Sequence, residues 1–419
     1  MTENRARKIL DQLKDAAATG NINAALAREM VFYHNHVRSH EEPAYNALLT
    51  DCYQGYMQDL GRANKFTKPA SGDGVAFFFH NGRYVAHVSV VAALCSNRPF
   101  WVPDPVAITP TGVNERFRGE LNAAGVEVHE IYPDRADYGA DIGSCIDKLH
   151  AFLEREGCGT VVWTGPPVWM AYTFGRRIAE RQIYLSTKWQ AGWIEDCDLC
   201  ITAGGRRDEV WREHSGKRWR VAHQPLSIRA KPNPSKRAYA LKMAPQRPVL
   251  GTIARVQKIQ TTGFLETVSQ ILTALPDAIW LLGSDSGAGG IEDFFREKKQ
   301  LERVELMGWV NPDQFTGLLD LYLETYPLGG ICSLYALAHG VPVVVLDGQH
   351  NPISCMENRP ADLMMVKDRA EYVRAVKTLW EQKTVYERAA EAGKALYARE
   401  RDLVGDDVAN LWGLICQRD

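Results

Sequence analysis

The sequence predicts an α/β protein with two doubly wound domains and a short N-terminal helical extension. Strand patterns such as "GVAFFFH" and "VLGTIAR" alternate with helical patterns such as "IGSCIDKLHAFLEREG". Short, continuous apolar runs of this kind are typical of parallel strands that are covered on both faces. At 419 residues the chain is also too long for one ordinary hydrophobic core.

The pattern divides the chain into five segments. An N-terminal helical extension spans residues 1–70, and a first doubly wound domain spans 71–228. A linker rich in proline and basic residues follows at 229–247, then a second doubly wound domain at 248–385 and C-terminal helices at 386–419. Ligands bind such sheets at the carboxyl ends of the strands, so two facing domains predict one deep cleft.

Composition excludes several classes of protein. The net charge of −2 argues against a dedicated nucleic-acid binder, although a local basic face stays open. The nine cysteines are scattered, and the first twenty residues are charged without an apolar core, which predicts a cytoplasmic protein without a membrane span. Cys197 and Cys200 form a CxxC pair inside an expected strand, where residues three apart face opposite sides. We therefore expect them to share no metal.

Three loops of the second domain follow strands and are expected to open toward one rim. In "GTIARVQK", Gly251 permits a tight turn, and the cations Arg255 and Lys258 beyond it suit a phosphate. The alternative is a solvated basic turn. In "GWVNPD", the backbone of Gly308 and Val310 beside Trp309 suits the edge of a planar base. The alternative is a strand-to-helix turn capped by Asn311.

The third loop lies in "LYLETYPLGGICSLYALAHG", where two glycines precede a helix. Because Gly329 and Gly330 have no side chains, an anion can approach the amides of Ile331, Cys332 and Ser333 at the helix start. The alternative is a simple turn. Three such loops together indicate a diphosphate-nucleotide site, and neither a Walker A motif nor GxGxxG is present.

The first domain offers two histidines in "FFFHNGRYVAHVS". His80 ends a strand, and His87 follows one or two helical turns later. A histidine near neutral pKa can act as a general base or hydrogen-bond to a transition state, although a lone histidine is more often structural. The charged segment "GGRRDEVWREHSGKRWR" is either a solvated face or, with the basic linker, a positive rim suited to an acidic acceptor or to nucleic acid.

These stretches resemble the GT-B glycosyltransferases, and in particular O-GlcNAc transferase and its bacterial relatives. "GTIARVQKIQTTGFLETVSQILTALPDAIWLLGS" is similar to the start of the family's donor domain, and Lys258 takes the place of the diphosphate-binding lysine. "RVELMGWVNPDQFTGLLDLYLETYPLGG" follows in the family's order, with Glu324 where an aspartate is usual. Gly330–Ser333 and Tyr335 depart from the family's polar side chains, so backbone amides carry more of the binding or the donor differs.

The first domain is similar to the adhesin-glycosylating bacterial N-glycosyltransferases. In "FFFHNGRYVAHVSVV", His87 takes the place of that family's active-site histidine, with His80 as the second catalytic candidate. "VVVLDGQHNPI" resembles a further stretch of those enzymes and adds Asp347 to the nucleotide-sugar residues. The candidate nucleotide-sugar residues are Gly251, Arg255, Lys258, Gly308, Trp309, Val310, Gly329, Gly330, Ile331, Cys332, Ser333 and Asp347.

The resemblance implies an inverting glycosyltransferase that needs no metal and no cofactor. It would transfer a hexose or N-acetylhexosamine from a UDP-sugar to a protein side chain, with asparagine favoured over serine or threonine. "DCD" (Asp196–Asp198) mimics a metal-binding motif and is interpreted as structural. Two alternatives stay open: transfer to a modified phage DNA base, and a non-catalytic sugar-nucleotide or glycan binder. The sugar, the acceptor and the oligomeric state do not follow from the sequence.

Overall fold

The computed structural model describes residues 3–32, 56–83, 86–134, 141–165, 169–186, 194–203, 210–214, 217–222, 247–260, 263–284, 289–326, 329–347, 360–400 and 405–416. The chain divides into two compact units, Met1–Ser227 with Leu403–Asp419, and Ile228–Asp402. Most of the predicted linker at 229–247, and most of the third N-terminal helix, lie outside the described residues. The five predicted segment boundaries stay predictions.

The first unit is an α/β layer structure that begins with helices. Its helices are α1 (Glu3–Ala18), α2 (Ile22–Phe32), α3 (Gln58–Ala63), α4 (Ala86–Ser96), α5 (Glu115–Ala123), α6 (Ile142–Arg155) and α7 (Met170–Gly175). Its strands are β1 (Val75–Phe79), β2 (Val106–Thr109), β3 (Glu127–Glu130), β4 (Thr160–Thr164), β5 (Arg181–Ser186), β6 (Leu199–Ala203), β7 (Trp211–His214) and β8 (Lys217–Ala222).

The second unit repeats the alternation. Its strands are β9 (Val249–Ile253), β10 (Ile279–Gly283), β11 (Val304–Gly308), β12 (Leu321–Leu323), β13 (Val343–Leu346) and β14 (Met365–Val366). Its helices are α8 (Val256–Gln260), α9 (Phe264–Ala274), α10 (Gly289–Glu297), α11 (Pro312–Thr316), α12 (Cys332–His339), α13 (Arg369–Glu381) and α14 (Lys383–Glu400). The last helix, α15 (Gly405–Cys416), belongs to the first unit.

Both sheets are doubly wound. The first has the strand order β3-β2-β1-β4-β5-β6-β8-β7, parallel except for the antiparallel β7–β8 pair. The second has the order β11-β10-β9-β12-β13-β14, and each neighbouring pair of these strands is parallel. Strand order reverses between β1 and β4 in one sheet and between β9 and β12 in the other. Ligands bind α/β sheets at such switch points, beyond the carboxyl ends of the strands.

The core of the first unit explains its continuous apolar strands. All five residues of β1 are buried, because helices cover both faces of the sheet. On one face, Phe77 meets Trp412 of α15 edge-on at 5.8 Å, and the indole N–H of Trp412 donates to the Leu94 carbonyl at 3.1 Å. On the other face, α1 and α2 share the core with the sheet, so the N-terminal helices are part of this unit.

The core of the second unit contains a chain of hydrogen bonds across the sheet. The indole N–H of Trp280 donates to Thr252 Oγ1 at 3.1 Å, and that hydroxyl donates to the Leu323 carbonyl at 3.0 Å. All of these groups are buried, so each bond replaces one to water. These two hydrogen bonds connect β9 to β10 on one side and to β12 on the other, the strands beside the switch point.

The structure corrects two details of the sequence interpretation. Gly251 lies inside β9 and makes no turn. A Cβ there would approach Leu319 Cδ2 to 2.4 Å, so the glycine is required by packing. The segment read only as a charge run contains the β7–β8 hairpin, in which Trp219 faces the core 5.6 Å from Tyr184 while Trp211 is exposed.

The expected geometry of the CxxC pair is also wrong. β6 begins at Leu199, so Cys197 precedes the strand and the opposite-face argument does not hold. Burial and a hydrogen bond with Cys200 raise the pKa of the Cys197 thiol well above its usual value. The two thiols are therefore buried neighbours. Separately, none of the helices within the described ranges is long and apolar enough to cross a membrane.

Candidate active site

The structure brings His80 and His87 together at the switch point of the first sheet. His80 directly follows β1, His87 lies in the first turn of α4, and Gly165 follows the neighbouring strand β4. A Cβ on Gly165 would lie 3.2 Å from His87 Cδ2 and 3.4 Å from His80 Nδ1, so both rings border this glycine. With φ of 93°, Gly165 adopts a conformation that side-chain-bearing residues rarely adopt.

Hydrogen bonds hold the surroundings of the two histidines. The Tyr184 hydroxyl donates to the Gly165 carbonyl at 3.2 Å, and Asn81 Nδ2 lies 2.5 Å from His80 Nε2. His80 is 6% exposed, whereas His87 is half-buried. His87 is thus the more accessible ring for proton transfer, and His80 is the more enclosed. Sequence reasoning missed Gly165, although a glycine directly after the buried run "TVVWT" was a usable signal.

Lys258 lies at the switch point of the second sheet, on the short helix α8 after β9. Its Nζ donates to the Gly329 carbonyl at 2.7 Å, across the gap between β9 and the loop before α12. Burial, reinforced by the charge of Arg255, lowers the pKa of Lys258 to about 8, while Glu324 opposes this effect. The sequence prediction that Lys258 and the glycine loop lie together is confirmed, although Lys258 is on a helix.

Glu324 is the residue of this cluster that sequence reasoning did not assign to the site. It follows β12 and is 1% exposed, and its Oε1 accepts from the amides of Thr325 at 3.0 Å and Gly330 at 3.2 Å. Burial raises its pKa to about 7, against the opposing effects of Ser333 and Lys258. Charged side chains are rarely fully buried without partners, so a glutamate at the end of a strand is ordinarily expected to be exposed. For this reason the sequence did not assign Glu324 to the site.

The start of α12 retains part of the predicted anion-binding geometry. Ile331, at the start of the helix, makes no side-chain cap, and among the residues that the structure describes a Cβ on Gly330 would meet only the Cys332 amide nitrogen, at 4.0 Å. No described residue therefore fills the space above the loop. The Gly330 amide already donates to Glu324, and the Ser333 hydroxyl donates to the Gly330 carbonyl at 3.0 Å. The amides of residues 331–333 remain the candidates for an anion.

The second candidate loop lies farther along the same sheet edge. Gly308 ends β11 with φ of 65°, Val310 packs over Gly283, and Trp309 is 42% exposed. Asn311 caps α11 by accepting from the Gln314 amide at 3.1 Å, so the strand-to-helix turn is present. β11 lies two strand positions from β9, about 10 Å at the usual strand spacing.

The remaining candidates flank the cluster. Arg255 is half-buried between β9 and α8, close enough to lower the pKa of Lys258. Asp347 follows β13 and is exposed, and its amide donates to the Val366 carbonyl at 2.7 Å. Asp347 thus lies one strand position beyond β12, at the same sheet edge.

The aspartates of "DCD" have protein partners. Asp196 accepts from Gln58 Nε2 at 2.6 Å and Arg62 Nε at 3.0 Å, and Asp198 accepts from Arg177 Nη1 at 2.8 Å. These contacts agree with a structural role. Within the part of the chain that the structure describes, there is no group of three or more His, Cys, Asp or Glu residues that could hold a metal ion.

Comparison with known proteins gives matches only at the level of structure. No protein-family model and no curated sequence matches the chain. A variant of Thermobaculum terrenum O-GlcNAc transferase matches with a TM-score of 0.58 at 15% identity, over 98% of this chain and 84% of that one. Anabaena HepE, solved with UDP and glucose, matches with a TM-score of 0.63 at 11% identity, over 81% and 98%.

A third match extends the set. Staphylococcus aureus TarM, solved with fondaparinux, α-GlcNAc-glycerol and UDP, matches with a TM-score of 0.59 at 8% identity, over 82% of this chain and 100% of that one. At identities this low, the structural matches establish the fold alone. They confirm the predicted α/β class with two doubly wound sheets and the resemblance that the sequence suggested. The chain therefore has the GT-B fold of these glycosyltransferases.

Proposed function

We propose that the protein is an inverting glycosyltransferase that transfers a hexose or N-acetylhexosamine from a UDP-sugar to a protein side chain. Asparagine is the favoured acceptor, from the resemblance of the His87 segment to the N-glycosyltransferases. One observation carries the proposal. An ammonium, an uncapped helix start and a glycine loop meet at the switch point of the second sheet.

This cluster suits a diphosphate for electrostatic reasons. The helix dipole and the amides of residues 331–333 favour negative charge, and Lys258 adds a full positive charge beside them. Both HepE and TarM were solved with UDP, which supports a UDP-sugar as the donor for this fold. Trp309 and the backbone of Gly308 and Val310 are assigned to the uracil, and Arg255 and Asp347 to the edge of the same site.

The proposed reaction is a single displacement. The acceptor atom attacks the anomeric carbon, the bond from that carbon to the diphosphate oxygen breaks, and its electron pair leaves with UDP. Lys258 and the amides at the start of α12 stabilise the charge that grows on the leaving group, so the step needs no metal. His87 accepts the proton that the acceptor loses, with His80 enclosed beside it.

The test is a donor screen with mass detection. The protein is incubated with a panel of UDP-sugars, with and without a host-cell lysate, and UDP release and modified peptides are measured. We expect one UDP-sugar to release UDP faster when acceptor is present, with a hexose or N-acetylhexosamine mass on a side chain. Binding of UDP without transfer to any acceptor would identify a sugar-nucleotide binder and contradict the enzyme assignment.

One observation favours DNA as a second candidate acceptor. Trp211 on the edge strand β7 is 40% exposed, and the guanidinium groups of Arg218 and Arg220 lie 4.5 and 5.2 Å from its ring centroid. Proteins that bind single-stranded nucleic acid combine positive charge with exposed aromatic rings on which bases stack, and Trp211 with its two arginines offers both.

The DNA alternative has a separate test. It predicts affinity for single-stranded DNA that falls steeply between 50 and 200 mM salt, because phosphate contacts release counterions. Trp211→Ala should reduce that affinity about 5- to 150-fold, since stacking contributes about 1–3 kcal/mol per base. Trp380→Ala, at a second exposed tryptophan, is the matched control. A salt-insensitive affinity, or an equal loss in both variants, would exclude this acceptor class.

A further inference from the structure

The carboxyl of Glu324 is built into the loop that the proposed diphosphate would contact. Its Oε1 accepts from the amides of Thr325 and Gly330 and so shapes the chain that leads into α12. Its Oε2 is buried and has no hydrogen-bond partner among the residues that the structure describes. An ionised carboxylate normally has donors for both oxygens, because an undonated buried charge is costly. One oxygen is thus structural. The other has no donor in hydrogen-bond geometry, because the nearby Ser333 hydroxyl, which lowers the pKa of the carboxyl, donates to the Gly330 carbonyl instead.

Four other titratable groups face this carboxyl, each from a named element. They are Lys258 on α8, Cys332 on α12, Tyr322 on β12 and Tyr372 on α13. Burial raises the pKa of Cys332 to about 12 and the pKa values of both tyrosines well above their usual range, so these three stay neutral near pH 7. Within this group, Glu324 and Lys258 are the ones that change charge between pH 6 and 9.

We propose that Glu324 takes up a proton when a diphosphate binds at the start of α12, so that donor binding and protonation of this carboxyl are coupled. The inference rests on the proposed donor site. A diphosphate adds negative charge beside a buried carboxyl, and two anionic groups in one water-poor site cannot both stay ionised. The proton comes from solvent and bonds to Oε2. No other bond forms or breaks in the protein.

The contacts of the loop are compatible with this change. Oε1 can keep accepting from the Thr325 and Gly330 amides when the carboxyl is neutral, so the loop retains its shape. Lys258 no longer has to balance the Glu324 charge, and its ammonium can turn from the Gly329 carbonyl to the phosphate. By linkage, an anion that favours protonation is itself bound more tightly by the protonated protein. Donor affinity should therefore fall as the pH rises.

The size of the effect follows from the position of the equilibrium. With a pKa of about 7, Glu324 is largely ionised at pH 7.5 without ligand. If the diphosphate raises this pKa by roughly two units or more, binding takes up about 0.7 proton at pH 7.5. Affinity then falls up to about tenfold per pH unit above pH 7. Lys258 would also take up a proton on binding, but mainly near pH 8 and above, where it is partly neutral.

The experiment measures protons taken up on binding UDP-glucose by calorimetry at pH 7.5. A sugar nucleotide is used because its diphosphate has no phosphate monoester group, which would titrate near pH 6. Titrations in buffers of different ionisation enthalpy give the number of protons as a slope. Glu324→Gln keeps an oxygen acceptor for the two amides but cannot titrate. Lys258→Arg keeps the positive charge but does not titrate, and the exposed Glu297→Gln is the matched control.

Lys258 adds its own proton uptake in every protein that keeps the lysine, so Lys258→Arg is the background for the comparison. In that background we expect about 0.7 proton from Glu324, and less than about 0.1 proton with little pH dependence between 6.5 and 8.5 when Glu324→Gln is added. The wild type and Glu297→Gln should take up about 0.7 to 1 proton. If the wild type binds UDP-glucose without taking up protons, the inference about Glu324 is overturned and the proposed donor site is retained. Uptake that vanishes in Lys258→Arg assigns the proton to the lysine and overturns it too, even if Glu324→Gln does not fold. Absence of any binding contradicts both the donor site and the inference.

Discussion

Replacement of Lys258 by methionine tests the donor site by separating ligand affinity from stability. Methionine is similar in length to lysine and removes only the ammonium, which donates to the Gly329 carbonyl at 2.7 Å and offsets the charge of Glu324. A neutral side chain leaves the amides at the start of α12 in place. The variant therefore isolates the contribution of one positive charge to nucleotide binding.

The expected magnitudes for the two properties differ. A hydrogen bond between charged groups contributes about 1.5–3 kcal/mol, so the affinity for UDP should fall about 10- to 150-fold. Stability has two opposing contributions. Burial lowers the pKa of Lys258 from 10.5 to about 8, so the charged lysine destabilises the fold below pH 8. Methionine removes that cost but also the bond to Gly329. The burial cost is at least as large as the contribution of the bond, so we expect the free energy of unfolding at pH 7 to stay unchanged or to rise by up to about 2 kcal/mol.

Calorimetric titration with UDP and urea unfolding monitored by fluorescence measure the two quantities. Lys383→Met is the matched control, because the Lys383 side chain is 86% exposed and pairs with Glu387 on its own helix, at 3.6 Å. The control should change neither quantity. Equal UDP affinity in Lys258→Met and wild type would refute the assignment. A loss of stability by more than about 2 kcal/mol would refute the account of the buried charge.

Three further predictions concern other parts of the molecule. His87→Ala should leave UDP affinity within about twofold and lower the transfer rate at least about 100-fold, as for a general base. Calorimetry and a transfer assay compare the two, and a parallel loss of both would contradict the role. Gly251→Ala places a methyl group 2.4 Å from Leu319 Cδ2 and should cost about 1–3 kcal/mol in urea unfolding. If Gly251→Ala costs as much free energy of unfolding in a Leu319→Ala protein as in the wild type, the contact with Leu319 is not the cause of the loss. Thr252→Val leaves the Trp280 indole N–H unpaired and should cost about 1–3 kcal/mol, whereas an unchanged unfolding midpoint would mean that this bond contributes nothing.

Most of the fold could be predicted from the sequence because strand and helix periods differ. The buried runs at β1, β4, β9 and β10 contain five residues each and stand between clear helical patterns. The β7–β8 hairpin was missed because its charges suggested a solvated surface. The Ser215–Gly216 pair between two alternating segments was a usable hairpin signal. The return of α15 to the first unit had no local signal, since it depends on the distant contact between Trp412 and Phe77.

The candidate site was only partly predictable, for a related reason. Strand ends and glycines locate the rims of the sheets, which is why the sequence proposed His80, His87, Lys258 and the loop before α12 as candidates. The helical turn that carries Lys258 is too short, at five residues, for a periodic pattern. Glu324 was not assigned to the site because its burial depends on amides six residues away in the chain. Local patterns report which side chains are apolar, but they do not show which polar group finds its partner after folding.

The most direct test of the account is a crystal structure of the protein with UDP. We expect the β-phosphate within hydrogen-bond distance of Lys258 Nζ and of at least one amide of residues 331–333. The uracil should lie against the backbone of Gly308–Val310. A nucleotide bound elsewhere, or phosphates without contact to either Lys258 or the start of α12, would contradict the central claim.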